Sequence, residues 1–88
     1  MSTTPADFPE TDFTGADLAG TDFTGTDLRG ANFYCVDLTG ACLAGADLRG
    51  ANLTDADLTW TELEGARRDP SDPAILGWIV VAGRLTES

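Results

Sequence analysis

The chain has 88 residues and a formal net charge of −10, from 15 acidic and 5 basic residues with no histidine. A globular domain of this length buries little core, and a surface this acidic is repelled by phosphate backbones and anionic lipid, which argues against direct binding to nucleic acid or membrane. Two cysteines, Cys35 and Cys42, are too few for a disulfide scaffold. Residues Met1 to Pro5 show neither a basic n-region nor an apolar h-region, so no signal peptide is expected. The longest apolar stretch, Ala74 to Ala82, is too short to cross a bilayer. Cytoplasmic localisation is the expectation.

From Ala6 to Gly65 the chain repeats every five residues, twelve times. The central residue of every repeat, from Phe8 through Leu63, is Leu or Phe. Two positions earlier stands a small or β-branched residue: Ala, Thr or Val. The residue just before the centre is Asp in eight repeats, and the last slot is Gly in eight. A helix needs apolar spacing near 3.6 and a strand needs a period of about 2, so neither explains a strict five. The period suits a chain that turns a corner every five residues. The centre and the small residue point inward, and the Gly relieves the corner because it carries no Cβ.

The segments Ala16–Gly20 (ADLAG), Ala46–Gly50 (ADLRG), Ala51–Asp55 (ANLTD) and Ala56–Trp60 (ADLTW) match the consensus A(D/N)LXX. In this the chain resembles the pentapeptide-repeat family. The resemblance implies an all-β fold, a right-handed quadrilateral β-helix with four repeats per coil, hence about three four-sided coils. Coils stacked at about 4.8 Å would make a solenoid roughly 15 Å tall. Residues 1–66 then form the solenoid, and 67–88 a linker plus an apolar C-terminal segment.

Four repeats per coil sort the residues into columns. Phe8, Leu28 and Leu48 line one inner face, and Phe13, Phe33 and Leu53 the next. Leu18, Leu38 and Leu58 line the third, and Phe23, Leu43 and Leu63 the fourth. Phenylalanines gather toward the first coils, which implies either a wider N-terminal end or one sealed by aromatic bulk. Residues Met1 to Pro5 would be thin cover there.

After Ala66 the repeat stops, and Arg67 to Pro73 reads as a linker. Asp72 followed by Pro73 has the form of an N-cap with Pro in the first helical position. Gly83 suits a C-terminal stop. The expected element is a short helix over about 73–82, with a strand as the rival because Trp78–Val81 favours β structure. A helix so apolar all round needs burial on more than one side. Ile75, Leu76, Trp78, Ile79 and Val80 are therefore candidates for capping the last coil, or for capping it and also forming a homodimer. Family members with C-terminal helices often dimerise through them.

All the net charge lies in the repeats. Residues 6–65 hold twelve acids and two bases, whereas residues 66–88 hold three of each. In the column arrangement Arg29 and Arg49 stand beside Asp7, Asp27 and Asp47. The face with Asp17, Asp37 and Asp57 has no base, and its neighbour carries Asp22, Glu62 and Glu64. The resemblance implies one use for such a strip, because quinolone-resistance members present acidic rods to the DNA groove of DNA gyrase. The plainer reading is that Asp and Asn in this slot bond nearby backbone at the turns. About 15 Å also spans only some four base pairs at about 3.4 Å each.

Without histidine no Ser-His or Cys-His pair can form, so an enzyme is not expected. Two thiols without further ligands do not make a metal site, and no cofactor is expected. Cys35 and Cys42 fall on different faces, which makes a disulfide between them improbable and free thiols the expectation. Tyr34 and Trp60 are the outward aromatics. Trp60 either packs under the returning tail or anchors a partner. Two functions remain: a structural or protein-interaction module, and an acidic DNA mimic that binds a type II topoisomerase.

Overall fold

The computed structural model describes residues 8–75 and 77–87. Within each repeat the central residue's carbonyl accepts a hydrogen bond from the amide three residues on, as from Ala31 to Leu28 (3.1 Å) and from Ala41 to Leu38 (2.9 Å). This closes a β-turn whose third residue has positive φ, as a type II turn requires. Gly fills that slot eight times, at φ between 67° and 77°. Glu10, Cys35, Asp55 and Trp60 fill it in the other four repeats, at φ 59–60°.

Repeats pair with repeats twenty residues away through single parallel β-bridges. Asp12 pairs with Asn32 and Asn32 with Asn52, and Asp17, Asp37 and Asp57 form a second such series. Asp22, Cys42 and Glu62 form a third, and Asp27, Asp47 and Arg67 a fourth. Twenty residues per circuit is four repeats, so the four inner columns form as the period requires. Between circuits each centre from Phe8 to Leu48 donates to a carbonyl nineteen residues on, as from Leu28 to Asp47 (2.9 Å). The next circuit's slot residue donates back, as from Asp47 to Thr26 (2.9 Å).

The core is the stack of centres and small residues. Leu28, Phe33, Leu38, Leu43, Leu48 and Leu63 are wholly buried, as are Ala31 and Ala46. Toward the N-terminal end Phe8, Phe13 and Leu18 are only half-buried. There Phe8, Phe13 and Phe23 meet edge-to-face, with centroids 5.7–6.2 Å apart, and Phe13 stacks on Phe33 at 5.1 Å. Of the two expectations for this end, aromatic bulk is the one observed. Met1 to Pro5 and Asp7 lie outside the described residues.

The repeat does not stop at Ala66. Arg67 takes the bridging slot opposite Asp47, and Arg68 takes the inward central slot above Leu48. The linker reading therefore fails for these two residues. An arginine at an apolar position hides the repeat from a search for Leu or Phe, yet here the guanidinium has carbonyls to bond.

Among the described residues the expected helix over 73–82 does not form. Strand β1 spans Trp78–Val81 and strand β2 spans Arg84–Glu87, paired antiparallel with Trp78 opposite Glu87 and Val81 opposite Arg84. Gly77 at φ +90° breaks the proposed helix in its middle, and Ile79–Val81 is a β-branched run. Ala82 and Gly83, at φ 52° and 79°, form the two-residue turn with positive φ at both positions that tight hairpins favour. Gly83 is thus a hairpin residue and not a helix stop.

Candidate functional site

The acidic slot residues are first of all turn residues. Asp17 Oδ1 accepts the Ala19 amide at 3.1 Å, and Asp37 and Asp57 accept the Thr39 and Thr59 amides at 2.9 and 3.1 Å. The threonine hydroxyls add bonds of 2.6 Å to Asp37 and Asp57. Asn32, Asn52 and even Glu62 accept the amide two residues on in the same way. Local side-chain-to-backbone bonding of this kind is the usual habit of Asp and Asn at turns.

These bonds favour the ionised form. The Thr14, Thr24 and Thr59 hydroxyls, aided by their amides, hold the carboxyls of Asp12, Asp22 and Asp57 below the ordinary value. Asp27 and Asp47 are lowered chiefly by the guanidinium hydrogen bonds of Arg29 and Arg49. Those pairs are two-pronged: each Nε donates to Oδ1 at 2.9 Å and each Nη2 to Oδ2 at 2.7–2.8 Å. Arg29 and Arg49 thus answer the acids of their own face, as the column arrangement expects.

The bridges align Asp17, Asp37 and Asp57 in one column, and Asp22 and Glu62 in the next with Cys42 between them. Glu64 follows on the turn beside Glu62. Cys42 Sγ lies 3.1 Å from the Thr24 hydroxyl, and both Cys42 and the exposed Cys35 are free thiols. Among the described residues no group of three His, Cys, Asp or Glu side chains is placed to hold a metal ion. No described helix is long and apolar enough to cross a membrane.

The tail divides its apolar residues between two sides. Ile75 and Trp78 are half-buried against the core, and Leu85 is buried within it. Ile79, Val80 and Val81 remain 48%, 43% and 56% exposed. Leu76 lies outside the described residues. Trp60 is 86% exposed, so the reading that packs it under the tail fails: the hairpin returns over Gly65 to Arg68 instead.

The sequence reading passed over Arg68, which is buried. Its Nη1 donates to the carbonyls of Leu48 and Ala51, both at 3.1 Å, and its Nη2 to that of Pro73 at 3.0 Å. Burial lowers its pKa and Asp72, 3.8 Å away, raises it. Asp72 in turn accepts the Gly50 amide at 3.0 Å and the Asp69 amide at 2.8 Å. The only signal in the sequence is its phase, five residues beyond Leu63.

A fold of single bridges stacked every twenty residues, with polar turns outside and Leu or Phe inside, defines a β-solenoid repeat protein. The family model for pentapeptide repeats matches residues 6–33 and 31–67, and the chain belongs to that family. Among solved structures it is similar to the pentapeptide repeat protein Rfr23 from the cyanobacterium Cyanothece 51142. Identity there is 33% with a TM-score of 0.64, covering 75% of this chain and 42% of that one. It is also similar to HetL from Nostoc sp. strain PCC 7120, a pentapeptide repeat protein involved in heterocyst differentiation regulation. That match has 30% identity and a TM-score of 0.52, covering 77% of this chain and 34% of the other. The chain thus spans less than half the length of these two structures. The comparison with curated proteins returned no match.

Proposed function

We propose that the protein is a non-enzymatic interaction module in which the solenoid is a rigid support and the outer strand of the hairpin joins a second copy of the chain. The observation that carries this reading is β1 itself. It holds three exposed apolar residues, Ile79, Val80 and Val81, and no charge, on the strand of the hairpin that has one free edge. Uncovered strands of this kind are templates for pairing with another chain. Leu85, Ile75 and Trp78 serve the same hairpin as a cap, holding it to the solenoid from the other side. HetL's regulatory role is in keeping with a module that acts by contact.

Light scattering on the purified chain tests this. The expected result is a dimer mass for the natural sequence and a monomer mass for a variant carrying Ile79→Glu and Val81→Glu. A natural chain that is monomeric at about 100 μM, where contacts of micromolar affinity are saturated, ends the reading.

The acidic faces support the topoisomerase alternative less well. Asp37 and Asp57 have both their backbone and hydroxyl bonds at home, as turn residues rather than free mimics of phosphate. A gyrase supercoiling assay distinguishes the readings, because an interaction module of the first kind leaves supercoiling unchanged.

A further inference from the structure

The last circuit of the solenoid is covered on one side and open on the other. Inside the stack, Leu38 and Gly40 donate to the carbonyls of Asp57 and Thr59 at 3.0 and 2.9 Å, and Val36 accepts the Asp57 amide at 2.9 Å. Twenty residues on, the same three groups are the Leu58 and Trp60 amides and the Ala56 carbonyl. Among the described residues none of them has a hydrogen-bond partner, and neither do the amides of Leu53 and Asp55. Elsewhere on this edge, among the described residues, the Leu63 amide and the Thr61 carbonyl also lack a partner, and the other groups are taken. Leu48 donates to Arg67, Gly50 to Asp72, and Gly65 to Leu85, while Ala66 accepts from Leu85.

The inward side chains report the same gap. Leu53 and Leu58 are half-buried, although Phe33 and Leu38 directly beneath them are wholly buried. Beside them opens a pocket of about 390 Å³ whose walls include Leu53, Leu58, Pro73, Ala74 and Ile75, with the paired Arg68 and Asp72 on one side. Charge selects what can fill it. Residues 51–65 hold Asp55, Asp57, Glu62 and Glu64 and no base. Asp55 and Asp57 are exposed at the edge itself. A second copy of a chain of net charge −10 is repelled from such an edge.

We infer that the edge formed by residues 56–60, one straight face between two corners, binds an extended, basic segment of a partner protein by β-strand addition. The added strand runs parallel to residues 56–60, because the ladder beneath is parallel. Its carbonyls accept from Leu58 and Trp60, and one of its amides donates to Ala56. One apolar side chain enters the pocket, and lysine or arginine side chains face Asp55 and Asp57. Main-chain bonds supply affinity and alternate side chains supply selection, as in other strand-addition complexes.

The test uses the full chain and three synthetic probes. The first is a seven-residue peptide alternating lysine with leucine and valine. The second has glutamate for lysine, and the third is the lysine peptide N-methylated at alternate residues. The expected result is that the lysine peptide binds and slows hydrogen exchange at the Leu58 and Trp60 amides. The glutamate and N-methyl peptides bind at least about tenfold more weakly, a loss of about 1.4 kcal/mol. A chain carrying Asp55→Asn and Asp57→Asn keeps the fold, since Asn32 and Asn52 already serve the slot of Asp57 and Asn tolerates the positive φ of Asp55. It is expected to bind the lysine peptide about three- to tenfold more weakly. Three results overturn the proposal: equal affinity for the lysine and glutamate peptides, no binding at about 1 mM, the weak limit of such contacts, or binding that leaves those amides unprotected. Slow exchange at the same amides without peptide assigns the edge to self-association and overturns it as well.

Discussion

At the scale of single residues the last slot of the repeat and Arg68 carry the physical lesson. Trp60 and Asp55 sit at φ 60° where Gly serves eight other repeats. An L-residue there costs about 1–2 kcal/mol relative to Gly. Asp tolerates it best, because a short polar side chain can bond locally. Arg68 is a buried cation whose desolvation is offset by three carbonyls and the nearby Asp72. Arg68→Ala is expected to lower stability by about 2–4 kcal/mol in urea unfolding, through lost packing and unmet carbonyls. Arg68→Leu restores the bulk and is expected to lose about 1–3 kcal/mol. If the leucine variant matches the natural chain, the carbonyl bonds contribute nothing net, as happens with some buried ion pairs.

At the scale of elements the hairpin replaces a helix. Its sequence carried both signals: an Asp-Pro start with a Gly stop for a helix, and a β-branched run for a strand. The strand form prevails because β2 can extend the ladder. Leu85 exchanges both backbone bonds with the last repeat, donating to Ala66 at 2.7 Å and accepting from Gly65 at 2.8 Å. A helix satisfies its own backbone and would leave those groups unpaired. The two sides of the hairpin should therefore differ sharply. Leu85→Ala is expected to cost about 2–4 kcal/mol, as core leucines do. At protein concentrations low enough to keep the chain monomeric, Ile79→Ala, on the exposed side, should change the unfolding free energy by less than about 0.5 kcal/mol. Comparable losses at the two positions would mean that β1 is packed as firmly as β2.

For the whole molecule, charge and turn chemistry act against each other as pH falls. Six carboxyls, those of Asp12, Asp22, Asp27, Asp47, Asp57 and Asp69, titrate below the ordinary 3.8 in the folded chain. A lowered folded pKa adds stability that is fully present above the unfolded pKa and is lost as pH falls through the folded one. The net charge of −10 works the other way, since partial protonation relieves repulsion within the solenoid. The urea midpoint should hold or rise slightly from pH 7 to about 5, then fall below about pH 4, where the turn bonds lose their acceptors. A midpoint that keeps climbing to about pH 2.5 would show that repulsion outweighs the turns.

Most of the solenoid was legible in the sequence because its period is local. Each repeat closes its own turn, so a count of five decides which side chains face inward. Four repeats per circuit then place Asp17, Asp37 and Asp57 in one column and Asp22 and Glu62 in the next. Aspartates that bond the amide two residues on were legible for the same reason. The ends were not. Whether Trp78–Val81 coils or extends, whether Arg68 points in or out, and whether Trp60 is covered all depend on which backbone groups the last circuit leaves unpaired. Those groups have no partner at fixed spacing in the chain, so only the folded stack decides what meets them.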